Sequence, residues 1–369
     1  MTKILAIETS CDETAVAVVS AGVTNAGVTS SERDRRGFTV LSNVVSSQIE
    51  THRRYGGIVP EVASRQHVEV VNSALEQAIA HANCTWDDID AIAATSAPGL
   101  VGALLVGLTV AKTLAMVHQK PFLGIHHLEG HIYASYLSHP ELKPPFLSLL
   151  VSGGHTSLIN VQGCGQYQTL GATRDDAAGE AFDKVGRLLD LGYPGGPVID
   201  RLAKEGDATA FLLPEGNISL PGGGFHPYDC SFSGLKTAML RLTENLKQNQ
   251  PELPVSDLAA SFQYTVAKAL TKRAIACALD HNLTQIAVGG GVAANSGLRS
   301  HLTQVAEEKG IHVLFPPLKY CTDNAAMIGC AAIDHFNHGH RSTLTVAAQS
   351  RMSLEKVMTL YDRPDQENK

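Results

Sequence analysis

The sequence has no C-x-x-C pair, no apolar run long enough to cross a membrane, no surplus of positive charge and a single tryptophan in 369 residues. Its seven cysteines, Cys11, Cys84, Cys164, Cys230, Cys277, Cys321 and Cys330, are odd in number and scattered. That excludes a disulfide framework or a zinc finger as the organising device and fits a reducing compartment. The opening MTKILAIETS passes from one lysine straight into a strand-like run without the apolar core of a signal peptide. The expected location is therefore the cytoplasm, with no membrane partner. A formal charge of −7 gives no bulk attraction to nucleic acid, so an RNA partner must be met by a local basic patch or a partner subunit.

What is present is enough apolar sequence, 44% of the chain, for two domains of ordinary size sharing an interface. Short apolar runs predict strands at Ile4–Ile7, Ala15–Val19, Ile89–Ala93, Phe146–Val151, Ser157–Val161 and Ile286–Val288. Between them lie helical patterns at Glu61–His81 and Leu258–His281, the class being α/β. Pro60 suits the start of the first helix, and Gly291 to Asn295 punctuate a strand–helix passage. LAIETSCDETAVAVV and LLVSGGHTSLINV share a strand–turn–strand plan about 140 residues apart, which suggests a duplicated domain around a cleft. Ala21–Gly37 reads as an exposed excursion and the final RPDQENK as a frayed tail.

The segment HHLEGH places His127 and His131 four residues apart, on one face of a helix, where two imidazoles can reach one cation. It differs from the zinc-protease H-E-x-x-H motif. Leu128 stands where the glutamate should be, and Glu129 is rotated by about 100°. The pair is either a metal clamp or two surface or capping histidines. The best third ligand is Asp323 in CTDNAAMIGC, although Thr322, Asp323 and Asn324 are all natural helix N-caps. Two histidines and an aspartate with open positions would make a catalytic site, admissible for iron(II), zinc or manganese.

Three glycine-rich segments, VSGGHT (151–156), YPGGP (193–197) and VGGGVAANS (288–296), permit close backbone approach to an anion. None is a dinucleotide or Walker motif, and each alone reads equally as a plain turn. Asp183, on a helical pattern, is either a solvated charge or a ribose ligand.

Together, ILAIETSCDETAVA, GGIVPEVASRQH, TSAPGLVGALLVG, HHLEGH, LVSGGHT, GEAFDKVGRLLDLGYPGGP, SFSGLKTA, VGGGVAANSGLR and CTDNAAMIG resemble the TsaD family, the tRNA N6-adenosine threonylcarbamoyltransferases once labelled O-sialoglycoprotein endopeptidases. The resemblance covers nearly all of residues 1–335. It implies the two-lobed actin/sugar-kinase/heat-shock-chaperone (ASKHA) fold, each lobe RNase H-like. The lobes would be residues 1–126, with a C-terminal helix at about 325–345 packing back on them, and 127–324, followed by a tail at 346–369. It further implies that His127, His131 and Asp323 bind one divalent metal, Fe(2+) before Zn(2+). Substrate contacts would fall on Leu150, Val151, Ser152, Gly153, Gly154, Asp183, Gly196, Asp200 and Asn295. Glu13 matches an acidic residue near the family's reaction centre and is the candidate catalytic group, its role left open; His155 is a second candidate participant. The chain departs from the family in the length of the excursion, in Lys319-Tyr320 before CTDN, and in Ala325 where glycine is common.

The implied activity moves the threonylcarbamoyl group of threonylcarbamoyl-AMP to N6 of adenosine 37 in the anticodon loop of tRNAs reading ANN codons, releasing AMP. The implied partners are tRNA and TsaB-like and TsaE-like proteins, with a homodimer left open. The rival functions are a metal-dependent glycoprotein endopeptidase, an ASKHA-type ATPase or kinase, and a scaffold without catalysis.

Overall fold

The structure, a computed structural model, describes residues 1–22, 37–249 and 251–362. Two five-stranded sheets share one wiring. The first contains β1 (Thr2–Glu8), β2 (Glu13–Ala21), β3 (Phe38–Ser47), β4 (Ala91–Ala97) and β5 (Phe122–His126), in the order β3-β2-β1-β4-β5. The second contains β6 (Phe146–Val151), β7 (Thr156–Gly163), β8 (Gln166–Ala172), β9 (Gln285–Gly289) and β10 (His312–Leu314), in the order β10-β9-β6-β7-β8. Each begins as an antiparallel three-strand meander and continues with two parallel strands. The two strand–turn–strand segments matched in the sequence are β1-β2 and β6-β7, the same position in each copy.

The helices are α1 (Ile49–Arg53), α2 (Pro60–His81), α3 (Val101–Val117), α4 (His127–Ser138), α5 (Ala178–Leu188), α6 (Gly195–Leu202), α7 (Ser233–Asn249), α8 (Val255–Asp280), α9 (Ser296–Glu308) and α10 (Ala325–Asn337). Strand alternation sorts side chains onto two faces. Leu5, Ile7, Ile92 and Ala94 face α2 and α3, whereas Ile4, Ala6, Ala91 and Ala93 face inward. In the second sheet Leu147, Leu149 and Val288 pack with α5, α7, α8 and α9, while Phe146, Leu150 and Ala287 turn to the same inner layer. That inner layer is α4 and α10, which therefore lie between the sheets. Glycines permit the close approach: a Cβ on Gly130 of α4 would meet Ile328 Cδ1 of α10 at 2.6 Å, and one on Gly329 of α10 would meet Val19 Cγ2 of β2 at 2.6 Å.

Several expectations need correction. The strand expected at Ile89–Ala93 is β4, displaced to Ala91–Ala97, because Trp86–Asp88 form a short helical turn capped by Thr85. The C-terminal helix stops at Asn337 instead of about 345: after His338, Gly339 takes φ 81° and reverses the chain. Residues from 346 are not all a tail, since Leu354–Leu360 form a 3-10 helix whose Leu354, Val357 and Leu360 enter the central core with Tyr361. Most of the Ala21–Gly37 excursion and all of RPDQENK lie outside the described residues.

Candidate metal centre and substrate cleft

The first site forms where β5 runs directly into α4. His126 ends the strand and caps the helix, its Nδ1 accepting from Leu128 N at 3.2 Å. The capping role considered for His127 or His131 thus belongs to their neighbour. His127 and His131 are both buried, with ring centroids 4.7 Å apart at 78°. At the start of α10 the cap is Asn324, whose Oδ1 accepts from Met327 N at 3.0 Å. Asp323 is thereby released from capping and turns to the histidines.

Asp323 Oδ1 lies 3.2 Å from His131 Nε2 and 3.6 Å from His127 Nε2. Ligand bonds of about 2.0–2.1 Å meeting at a tetrahedral angle separate donor atoms by roughly 3.3–3.4 Å, so these spacings suit a shared cation. A second observation agrees. Both ring nitrogens of His131 are buried without a hydrogen bond of acceptable geometry, although one is so close to a carboxylate, and a buried unsatisfied nitrogen is costly unless something else engages it.

Glu8, at the end of β1 and fully buried, orients the first ligand. Its Oε1 accepts from Ser10 N at 2.5 Å and its Oε2 from Thr95 Oγ1 at 2.5 Å, while Oε2 and Ser10 Oγ each lie 3.1 Å from His127 Nδ1. A proton on Nδ1 donated to Glu8 leaves Nε2 free to face the cation, the usual support for a metal-bound imidazole. Burial works against the charge on Glu8, but His127 outweighs it and holds the carboxyl below its ordinary range. Burial would lower His127, yet Asp323 and Glu8 raise it to about 9. Asp323, burial notwithstanding, is drawn down to about 2 by His127 and His131. Sequence reading missed Glu8; the available signal was an acid ending an otherwise apolar strand.

Glu129 is absent from this cluster. It is fully buried on another face of α4, 2.8 Å from His335 Nε2, and accepts from Tyr167 OH at 2.6 Å. Its displacement from the protease register therefore carries it to a different network.

The glycine-rich segments divide into backbone and support. Leu150 and Val151 are core side chains, so only their backbone is available to a ligand. Ser152 closes the turn, its Oγ accepting from His155 N at 3.1 Å, whereas Gly153 and Gly154 border open space. Gly290 takes φ 90° with Val151 O only 2.5 Å from where a Cβ would be, which brings two of the glycine segments together. Asp183 Oδ1 accepts from Gly195 N at 2.9 Å, and burial raises its carboxyl despite the N–H groups of Gly195 and Gly196. Space remains beside Gly196. Asp200 Oδ1 accepts from Ser296 N and Oγ, both at 2.8 Å. Asn295 caps α9 through Leu298 N at 2.9 Å and donates to Gln263 Oε1 at 2.8 Å. Asp200 and Asn295 thus hold α6, α8 and α9 in register behind the loop.

Glu13 begins β2 and accepts from Ser47 Oγ at 3.3 Å. Burial first, then Asp12 and Asp323, push its carboxyl well above the ordinary range. His155 is pushed down to about 4 by burial and by His127 and His131. It lines a cleft of about 450 Å³ with Pro98, Arg351 and Lys356. The contribution of the C-terminal segment to this wall was not expected from the sequence.

Residues 39–330 match the family described as TsaD: tRNA N6-adenosine threonylcarbamoyltransferase. A Synechocystis sp. protein of that name is 67% identical over 98% of this chain and 100% of its own length. One from Nostoc sp. is 66% identical over 98% of this chain and 100% of its own. Among solved structures, T. kodakarensis HypF aligns with TM-score 0.58 at 15% identity over 92% of this chain and 48% of that one. Full-length HypF in the phosphate- and nucleotide-bound form gives 0.57 at 12%, over 90% and 46%. These distant likenesses speak for the fold, which is the expected ASKHA type. No helix among the described residues is long and apolar enough to cross a membrane.

Proposed function

The chain belongs to the TsaD family, the tRNA N6-adenosine threonylcarbamoyltransferases, and on that premise we propose that His127, His131 and Asp323 hold the divalent metal of its reaction centre. The enzyme forms N6-threonylcarbamoyladenosine in tRNA. The donor in our reading is threonylcarbamoyl-AMP and the acceptor is adenosine 37 of the anticodon loop in tRNAs reading ANN codons. The N6 amine attacks the carbamoyl carbon, the bond to the AMP phosphate oxygen breaks, and N6 loses one proton as AMP leaves. The convergence of three donor atoms around a histidine with two unsatisfied ring nitrogens carries this assignment.

When bound, the metal would supply Lewis-acid polarisation of the threonylcarbamoyl oxygens, with Fe(2+) our first choice and Zn(2+) the second. The chain does the rest by positioning. Glu8 holds the His127 tautomer. Gly153 and Gly154, which border open space, leave room for the adenylate, and Asp183 and Gly196 are its further contacts in this reading. Glu13, whose carboxyl is raised well above the ordinary range by burial and by Asp12 and Asp323, is in our reading the group that orients the N6 amine or takes its proton. His155, neutral at pH 7, offers a hydrogen bond at the cleft wall. The target adenosine must leave the loop stack, which single-stranded RNA permits at roughly a few kcal/mol. Arg351 and Lys356 supply local positive charge that the acidic chain otherwise lacks, and TsaB-like and TsaE-like partners would complete the grip on tRNA.

The endopeptidase reading is disfavoured by Glu129, which is engaged with His335 and Tyr167 and offers no base to the first site. Mass analysis of tRNA nucleosides after incubation with threonine, bicarbonate, ATP and the pathway proteins tests the proposal. Asp323→Ala should abolish the product and lower bound metal; unchanged modification would overturn the assignment.

A further inference from the structure

We propose that Cys164, His335 and His340 form a second metal site, suited to Zn(2+) or another borderline divalent cation, that clamps the β7–β8 turn to the end of α10. The three residues come from separate places. Cys164 lies in the Gly163-Cys164-Gly165 turn between β7 and β8. His335 is in the last turn of α10. His340 follows the reversal at Gly339, which returns the chain so that His340 N bonds to His335 O at 3.0 Å. Their donor atoms lie within 4.8 Å of one another.

The geometry suits a shared cation. His335 Nδ1 is approached by Cys164 Sγ at 3.6 Å and by His340 Nδ1 at 2.8 Å. Three donor atoms from separate segments, one of them this ring nitrogen, thus converge. A cation between the three would engage all of them. Tetrahedral zinc with bonds of about 2.3 Å to sulfur and 2.0–2.1 Å to nitrogen separates S and N by roughly 3.6 Å and two nitrogens by roughly 3.3–3.4 Å. The Cys164–His335 spacing of 3.6 Å therefore already matches, and the imidazoles need to part by about half an ångström. His340, only partly buried on a surface turn, can make that movement.

The surroundings agree. His335 Nε2 faces Glu129 Oε1 at 2.8 Å, and a carboxylate behind an imidazole fixes the tautomer whose other nitrogen binds metal. That carboxylate is anchored by Tyr167, and Tyr361 stacks on His335 with centroids 4.3 Å apart. Asp334 and His338 also approach Cys164, but Asp334 accepts from Tyr133 OH at 2.5 Å, so the assignment rests with the His335–His340 pair. On binding, the Cys164 thiol gives its proton to solvent as the metal–sulfur bond forms. The proton between the two Nδ1 atoms passes to solvent if it comes from a protonated ring or to His340 Nε2 if it is that ring's own, so that both imidazoles bind as neutral ligands. Cys164 and His340 are partly exposed, which provides an entry path and leaves a fourth position to water.

The full-length chain, stripped by chelator and titrated with Co(2+), tests this. The first centre has no sulfur ligand, and among the described residues each candidate cluster that holds a sulfur contains Cys164, so a thiolate-to-cobalt charge-transfer band that depends on Cys164 reports the second. The expected result is two Co(2+) per chain with the band present, its loss in Cys164→Ser together with one equivalent, and its survival in Asp323→Ala. His340→Asn, a change on a partly exposed turn, should weaken Zn(2+) binding at this site by at least about a hundredfold. Absence of the band from the unmodified chain, its survival in Cys164→Ser, or its loss in Asp323→Ala would overturn the proposal. The last substitution tests the first centre separately through its product.

Discussion

Two faces of one helix carry two different chemistries. On one face of α4, His127 and His131 meet Asp323, and both ring nitrogens of His131 lack a hydrogen bond. On another, Glu129 joins His335 and Tyr167 in contacts of 2.8 and 2.6 Å, leading to the Cys164 thiol. The first offers nitrogen and oxygen near the glycine turns, the second nitrogen and sulfur beneath a hairpin. Unsatisfied buried atoms occur on both faces, Glu129 Oε2 among them. The faces differ in what converges on them: the open nitrogens of His131 with Asp323 on one, and a glutamate whose Oε1 holds a histidine and a tyrosine on the other. A shift of one residue in the glutamate's position within HHLEGH separates the two.

Substitutions can break this comparison, beginning with the largest effect. Asp323→Ala should reduce tRNA product formation by at least about a hundredfold, since even residues that only orient a metal ligand are worth about 10–100-fold; nucleoside mass analysis measures it. Glu129→Gln leaves His335 facing a neutral partner in a buried position. It should cost about 3–5 kcal/mol of stability in a denaturant titration, with the metal content of the first centre changed far less. Glu8→Gln preserves shape but weakens the hold on His127 Nδ1. It should lower metal affinity at the first centre by about 10–100-fold, read by competition with a chelator. The smallest effect is expected from Tyr361→Phe, because that hydroxyl is buried without a hydrogen-bond partner; stability should change by less than about 0.5 kcal/mol.

The same comparison explains what was legible in the sequence. His127 and His131 could be paired because helical spacing is local, and Asp323 stood out in a cluster of polar helix-start residues. Which of Thr322, Asp323 and Asn324 caps α10 depended on tertiary packing, and the structure assigns the cap to Asn324. The duplicated strand–turn–strand plan was visible because β1-β2 and β6-β7 are largely buried. β8, with its exposed glutamines, and the three-residue β10 lacked that apolar signature. The hydrogen bonds that tie Asp200 to Ser296 and Asn295 to Gln263 could not be read from composition. The second cluster was hidden because His335 and Cys164 are 171 residues apart and no local motif joins them.

The most direct measurement is N6-threonylcarbamoyladenosine formation by Asp323→Ala and Cys164→Ser side by side, with bound metal counted in each. The account predicts that Asp323→Ala loses the product and one metal while retaining the thiolate-to-cobalt band, and that Cys164→Ser loses the band while continuing to modify tRNA. Product formation at the unmodified level by Asp323→Ala would contradict it.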